Sequence, residues 1–140
     1  MKRRKRTEIL IKGSPSLAQE LSEEIERNYD VKVIESPENG LVMVKMRESA
    51  QKSLFYLGEV FITEAKVQIE GKLGIGVVTG SEPELAYHLA VVDAAYNGDL
   101  KETLAWEQLL VEEEMRIKAY QSQKELKIMQ TKVNFETMDV

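Results

Sequence analysis

Apolar residues recur along this chain with two different periods, and each change of period marks a new element. Leu17, Leu21 and Ile25 lie four residues apart, with Ala18 beside them, and form one stripe on a helix. Ser14 before Pro15 is a start signal for that helix; Ser16 with Gln19 is a competing capping pair, and Asn28 and Asp30 suggest its end. "VKVIE" then reads as a short strand, "SPENG" as a turn and "LVMVKMR" as a second strand. From Phe55 to Ile69 the period is two. Phe61, Thr63, Ala65, Val67 and Ile69 share one face, and the largely polar set Ile62, Glu64, Lys66, Gln68 and Glu70 shares the other. Such alternation predicts an antiparallel sheet with one wet face. Gly71-Lys72 suits the two central positions of a tight hairpin, with "LGIGVVT" as the return strand.

The period then returns to that of a helix. Ser81 followed by Glu84 is the capping-box pattern, and Leu85, Leu89, Val92 and Tyr96 make a stripe behind it. Ala86, Ala90, Ala94 and Ala95 keep this helix slim, so that another element can pack closely, and Asn97-Gly98 ends it. A long helix is predicted from about Lys101 toward Gln130, charged nearly all round in its second half, as befits a solvated helix or one clasped by another chain. In the tail 131–140, Val133 and Phe135 fall on one face at strand spacing, which predicts a terminal edge strand that docks on its own sheet or a partner's. The expected fold is α+β: one domain over 1–140, an antiparallel sheet of about four strands, helices packed on one face, and a long C-terminal helix.

Gly74, Gly76 and Gly80 raise the question of a phosphate loop. A dinucleotide fingerprint needs glycine at the sixth position of G-x-G-x-x-G, where Thr79 stands, and no G-K-[ST] follows Gly80. Gly74 and Gly76 instead occupy alternate positions of a strand, where they allow close approach of another backbone or a ligand, and Gly80 supplies a turn. No catalytic set emerges from the residues. His88 is the one histidine, with Glu84 as its carboxylate neighbour one turn away, short of a metal site. No serine has an elbow context, and Glu112, Glu113 and Glu114 are successive and point around a helix. Polar residues of the middle strand, Glu59, Thr63 and Glu64, either line a site or serve the sheet.

Composition narrows the class of protein. The 140 residues contain 43% hydrophobic and 31% charged side chains, an ordinary globular balance. There is no cysteine, which excludes disulfides, thiol nucleophiles and an iron–sulfur cluster held by this chain alone. No run of eighteen apolar residues is present, and the apolar part of "MKRRKRTEILIKG" is shorter than a secretory signal's, so a cytoplasmic protein is expected. Net charge is −5, although Lys2, Arg3, Arg4, Lys5 and Arg6 are all cationic. This basic arm, 1–6, reads in two ways: as a reach toward a nucleotide triphosphate, nucleic acid or acidic surface, or as a frayed, solvated terminus.

Three stretches together, "GEVFITEAKVQIEG" (58–71), "LGIGVVTGSEPELAYHLAVVDAAY" (73–96) and "TKVNFETM" (131–138), resemble the PhnG subunit family of the bacterial carbon–phosphorus lyase system. The resemblance covers roughly residues 40–138. Gly58, Glu59, Thr63 and Ala65 meet the family's strand pattern. Asp93 and Ala94 meet its aspartate–alanine pair, and Val133, Phe135, Thr137 and Met138 its closing pattern. The basic arm and the short "ILI" behind it are not matched to that pattern, and their role stays open.

The resemblance implies a core complex with PhnH-, PhnI- and PhnJ-type subunits. That complex uses MgATP as substrate, and an organophosphonate displaces adenine from C1′ of the ribose. The product is a ribose 1-phosphonate 5-triphosphate, and later steps break the carbon–phosphorus bond. The family places the nucleosidase-type chemistry mainly in PhnI. For this chain it implies no catalytic residue, metal or cofactor of its own. Gly58, Glu59, Thr63, Ala65, Gly74, Gly76, Gly80, Asp93, Val133 and Phe135 are then structural or interface positions. Self-association within the complex is expected, with neither nucleic acid nor membrane as partner. A stand-alone ligand-binding or scaffold domain, with the glycine strand as its floor, is the alternative.

Overall fold

The period-two segment does form the middle of an antiparallel sheet, and its apolar face becomes the floor of the core. The computed structural model describes residues 1–48 and 53–138, with side chains described except at 44–57 and 133–138. Its elements are α1 (Arg3–Lys12), α2 (Pro15–Asn28), β1 (Val31–Glu48), β2 (Ser53–Ile69), β3 (Lys72–Thr79), α3 (Pro83–Asn97) and α4 (Glu102–Met138). The strands lie in the order β1-β2-β3, both pairings antiparallel. The fold is α+β, with three strands rather than the four expected.

The missing strand boundary has a local explanation. "SPENG" does not turn the chain; β1 runs straight through it. Two register shifts, between Val33 and Glu35 and between Glu35 and Glu38, absorb extra residues as bulges opposite Lys66 and Glu64. Pro37 is tolerated there because β1 is an edge strand, where a missing N–H need not break a ladder. The β2–β3 hairpin is one residue earlier than predicted. Ile69 pairs with Lys72, so Glu70 and Gly71 are central, with φ of 49° and 81°. Two positive φ values in sequence are the geometry whose twist matches the flanking strands.

Thr63, Ala65, Val67 and Ile69 of β2, with Val78 of β3, are buried on the face that meets α3. Ile62, Glu64, Lys66 and Gln68 on the other face are half exposed, and Lys66 lies 3.3 Å from Glu35 and 3.5 Å from Glu64. Helix α3 is the centre of the molecule and is buried on almost every side, from Ala86 to Ala95. The sheet covers it below; Ala18, Leu21 and Ile25 of α2, Ile9 and Leu10 of α1, and Trp106 and Leu110 of α4 join the same core above. Each of the larger aliphatic side chains contributes about 1.5–3 kcal/mol by leaving water.

Two ends of the chain differ from expectation. The basic arm is not frayed: residues 3–12 are helical, and Arg6, Ile9 and Leu10 are buried. The tail is not a strand: α4 continues as helix to Met138. No glycine or proline follows Gly98, so nothing in the sequence stops a helix once it has started. The side chains of Val133 and Phe135 lie outside the described residues.

Candidate functional site at the seam between sheet and central helix

The residues singled out from sequence converge on the seam between β3 and α3. A side chain at Gly74 would overlap the Ala90 carbonyl oxygen and the Ala94 amide nitrogen. One at Gly76 would overlap the Ala86 carbonyl oxygen and lie 2.7 Å from the Ala90 nitrogen. Glycine on the strand and alanine on the helix therefore let the two backbones touch, with no space left for a phosphate. Ala65 sits opposite Gly76 in the ladder, and Val67 opposite Gly74, which extends the same close packing to β2.

At one end of the seam stands Asp93, buried inside α3. Its carboxylate accepts hydrogen bonds from the Arg3 guanidinium (2.9 Å), the Arg6 guanidinium (3.1 Å) and the Ile75 N–H (3.0 Å). One side chain thus ties α1, α3 and β3 together. The Arg6 guanidinium also lies over the Tyr96 ring, 4.0 Å from its centroid. Burial pushes the Arg6 pKa down from its ordinary value, and Asp93 and Tyr96 oppose that shift. Burial also pushes the Tyr96 phenol up. Tyr96 in turn meets Trp106 edge-on at 5.9 Å, and Trp106 donates its indole N–H to Glu24 at 3.0 Å.

At the other end stands Thr63. Its hydroxyl donates to the Gly80 carbonyl (2.6 Å) and accepts the Glu82 N–H (3.1 Å), and the Asn39 amide lies 3.2 Å away. This replaces the expected capping box. The residue at the cap of α3 is Glu82, no side chain of the cap itself bonds back, and Ser81 and Glu84 do not form the reciprocal pair. A hydroxyl from β2, distant in sequence, satisfies the orphan amide instead.

The other marked residues lie elsewhere. Gly58 (φ 154°) and Glu59 are on the two-stranded part of the sheet beyond β3, opposite Val44 and Met43. His88 is half buried on the rim of an open cleft of about 400 Å³ that Pro15, Gln19, Glu82 and Glu84 also line. Among the described residues, no three His, Cys, Asp or Glu side chains are grouped to hold a metal ion, and no helix is long and apolar enough to cross a membrane. The sequence reading missed the partners of Asp93 and Thr63. Arg3, Arg6 and Asn39 carry no periodic signal, and only the fold brings them near.

The cations of the basic arm are largely engaged within the molecule. Arg3 and Arg6 hold Asp93, Lys5 lies 3.2 Å from Glu114, and the N-terminal ammonium lies 3.2 Å from Glu107. The arm fastens α1 to α3 and α4.

Residues 1–139 match the family model described as "Phosphonate metabolism protein PhnG". No curated protein matches the chain. The chain belongs to the PhnG family, and so is a phosphonate-metabolism protein of the multi-subunit carbon–phosphorus lyase complex.

Proposed function

We propose that this PhnG-family chain is a non-catalytic assembly subunit for the step in which a phosphonate displaces adenine from the ribose of MgATP. The observation that carries this reading is the fate of the motif residues. Thr63, Ala65, Gly74, Gly76 and Asp93 are all engaged in joining sheet to helix, and none is left as a free acid, base or nucleophile. Displacement at an anomeric carbon passes through an oxocarbenium-like state. It brings an anionic phosphonate to a polyanionic nucleotide, so cationic groups and Mg²⁺ must be close at hand. A chain with net charge −5, whose N-terminal cations are mostly paired internally, is poorly suited to provide them. PhnH-, PhnI- and PhnJ-type subunits hold MgATP and the reacting groups in this reading, and the complex works in the cytoplasm.

The part of this chain offered to partners is its projecting surface. Beyond Phe61, whose carbonyl still accepts the Gly80 N–H, β2 pairs with β1 alone, and the side chains of Leu41, Val42, Met43 and Phe61 are exposed on that ribbon. Reconstitution tests the assignment. Adenine release from MgATP and methylphosphonate is expected from the complete set of subunits, to fall when this chain is omitted, and to be absent with this chain alone. Release by the isolated chain, abolished by a point substitution in it, would overturn the reading. The stand-alone ligand-binding alternative predicts the reverse: the chain would purify free of the other subunits.

A further inference from the structure

The sheet has two edge strands, β1 and β3, and the molecule treats them differently. In β3, Leu73 and Ile75 direct their backbone polar groups away from β2, as alternate residues of an antiparallel ladder do. Helix α3 meets them there: Asp93 accepts the Ile75 N–H at 3.0 Å, and the Asn97 amide donates to the Leu73 carbonyl at 2.8 Å. An edge covered in this way is a poor template for another chain. The first part of β1 is blunted by other means. Pro37 has no N–H to offer, and both bulges of this part fall between Val33 and Glu38.

The stretch 39–43 has neither protection. The Gly80 N–H donates to the Phe61 carbonyl at 2.8 Å, so Phe61 turns its backbone groups toward β3 and away from Leu41, its opposite number in β1. By the same alternation Asn39, Leu41 and Met43 all turn their N–H and C=O groups outward. Among the described residues nothing bonds to them. Pairing with β2 is in unbroken register from Asn39 to Val44, so the outward groups form a regular row. Charge marks the same place. Glu38 stands directly opposite Glu64, and like charges so placed destabilise a sheet. Lys66 lies against Glu64 and Glu35, whereas Glu38 has no ion pair among the described residues.

We propose that residues 39–43 of β1 receive a fourth strand, an extended segment of another subunit. That segment is apolar on the face it shares with Leu41, Met43 and Phe61, and it carries a lysine or arginine on the opposite face, beside Glu38. Main-chain hydrogen bonds supply the affinity of such strand addition, and the alternating side chains supply its specificity. Leu41, Met43 and Phe61 are 63%, 58% and 42% exposed, and apolar side chains of the added strand extend their layer sideways. Its cation offsets the repulsion between Glu38 and Glu64. A helix laid across the ribbon covers the same apolar groups but leaves the outward amides of Leu41 and Met43 without partners; a strand satisfies both. The inference rests on the reading of the ribbon as partner surface, and adds what kind of element binds there and along which edge.

Residue-resolved amide exchange reads this directly, because alternate residues answer differently. In the free chain the Leu41 and Met43 amides should exchange faster than those of Gly40 and Val42, which face β2. In the assembled complex Leu41 and Met43 should slow by about tenfold or more, the effect of one added hydrogen bond. Leu41→Pro removes one outward N–H, which an edge strand tolerates. The fluorescence of the single Trp106 should stay unchanged in this variant, while association with the other subunits weakens about tenfold; Leu41→Val keeps the amide and should associate normally. Glu38→Lys should weaken association more than Glu38→Gln. Leu41 and Met43 amides that exchange alike in the free chain and the complex would overturn the proposal. If that complex still releases adenine, and less of it when this chain is omitted, the assembly reading stands without the added strand. Slow Leu41 and Met43 amides in a free chain that sediments as a dimer would place a second copy on the edge and overturn the proposal equally.

Discussion

The seam under α3 and the ribbon of β1 and β2 are built from the same strands and treat their residues in opposite ways. At the seam, every polar group that the sequence marks has a partner inside the molecule: Asp93 with two arginines and an amide, and Thr63 with a carbonyl and an amide. On the ribbon, Leu41, Met43 and Phe61 are exposed, and the strands have only each other. A two-stranded ribbon is marginal by itself in water. Marked residues of one family pattern thus fall in two settings: Thr63 and Ala65 are buried in the body, while Gly58 and Glu59, a few residues earlier on the same strand, lie on the two-stranded ribbon.

The comparison is broken most sharply at Asp93. Asp93→Ala leaves Arg6 buried without its counter-charge, and loss of one partner of such a pair costs about 3–5 kcal/mol. Urea unfolding of the full chain, followed by Trp106 fluorescence, should show a loss of that size; a loss below about 1 kcal/mol would mean that the ion pair does not hold α1 in place. Next comes Gly76→Ala. The new methyl meets backbone of α3, which cannot swing aside, so a destabilisation of about 1–3 kcal/mol is expected. Gly98→Ala is the control, because its nearest neighbours lie at 3.4–3.7 Å; equal effects at the two positions would remove the case for close backbone packing. Thr63→Val keeps the shape and deletes the hydroxyl, leaving the Gly80 carbonyl and the Glu82 amide short of a partner. It should cost about 1–3 kcal/mol, against no more than about 0.5 kcal/mol for Thr79→Val on the exposed face of β3. The smallest effect on stability belongs to the ribbon. Phe61→Ser should change unfolding by about 0.5 kcal/mol or less while lowering the amount of chain that co-purifies with the other subunits.

What the sequence disclosed depended on whether the determining contact was local. The stripe of α2, the alternation of β2 and the small residues of β3 and α3 were readable because each is a periodic pattern that one packed face imposes. The turn chemistry of Ser36-Pro37 misled because pairing with β2, where the flanking Glu35 and Glu38 meet Lys66 and Glu64, outweighs a local preference once bulges can absorb the extra residues. The Ser81–Glu84 box misled for the same reason: Thr63 reaches the amide first. Alternation in "VNF" suggested a strand, but three residues of pattern carry little against a helix with no breaker ahead of it. The basic arm offered no pattern at all. Its meaning lay in Asp93, 87 residues beyond Arg6, and only the fold shows it.

The proposal that partners bind the ribbon of β1 and β2, and not the seam, is tested most directly by amide hydrogen exchange, measured on the free chain and on the assembled complex. The account predicts that assembly slows exchange in residues 40–48 and 53–62 of the ribbon, and leaves Gly74–Val78 and the middle of α3 as they are in the free chain. Unchanged exchange along the ribbon, together with new protection around Gly74, Gly76 or His88, would contradict it and move the functional surface back to the seam.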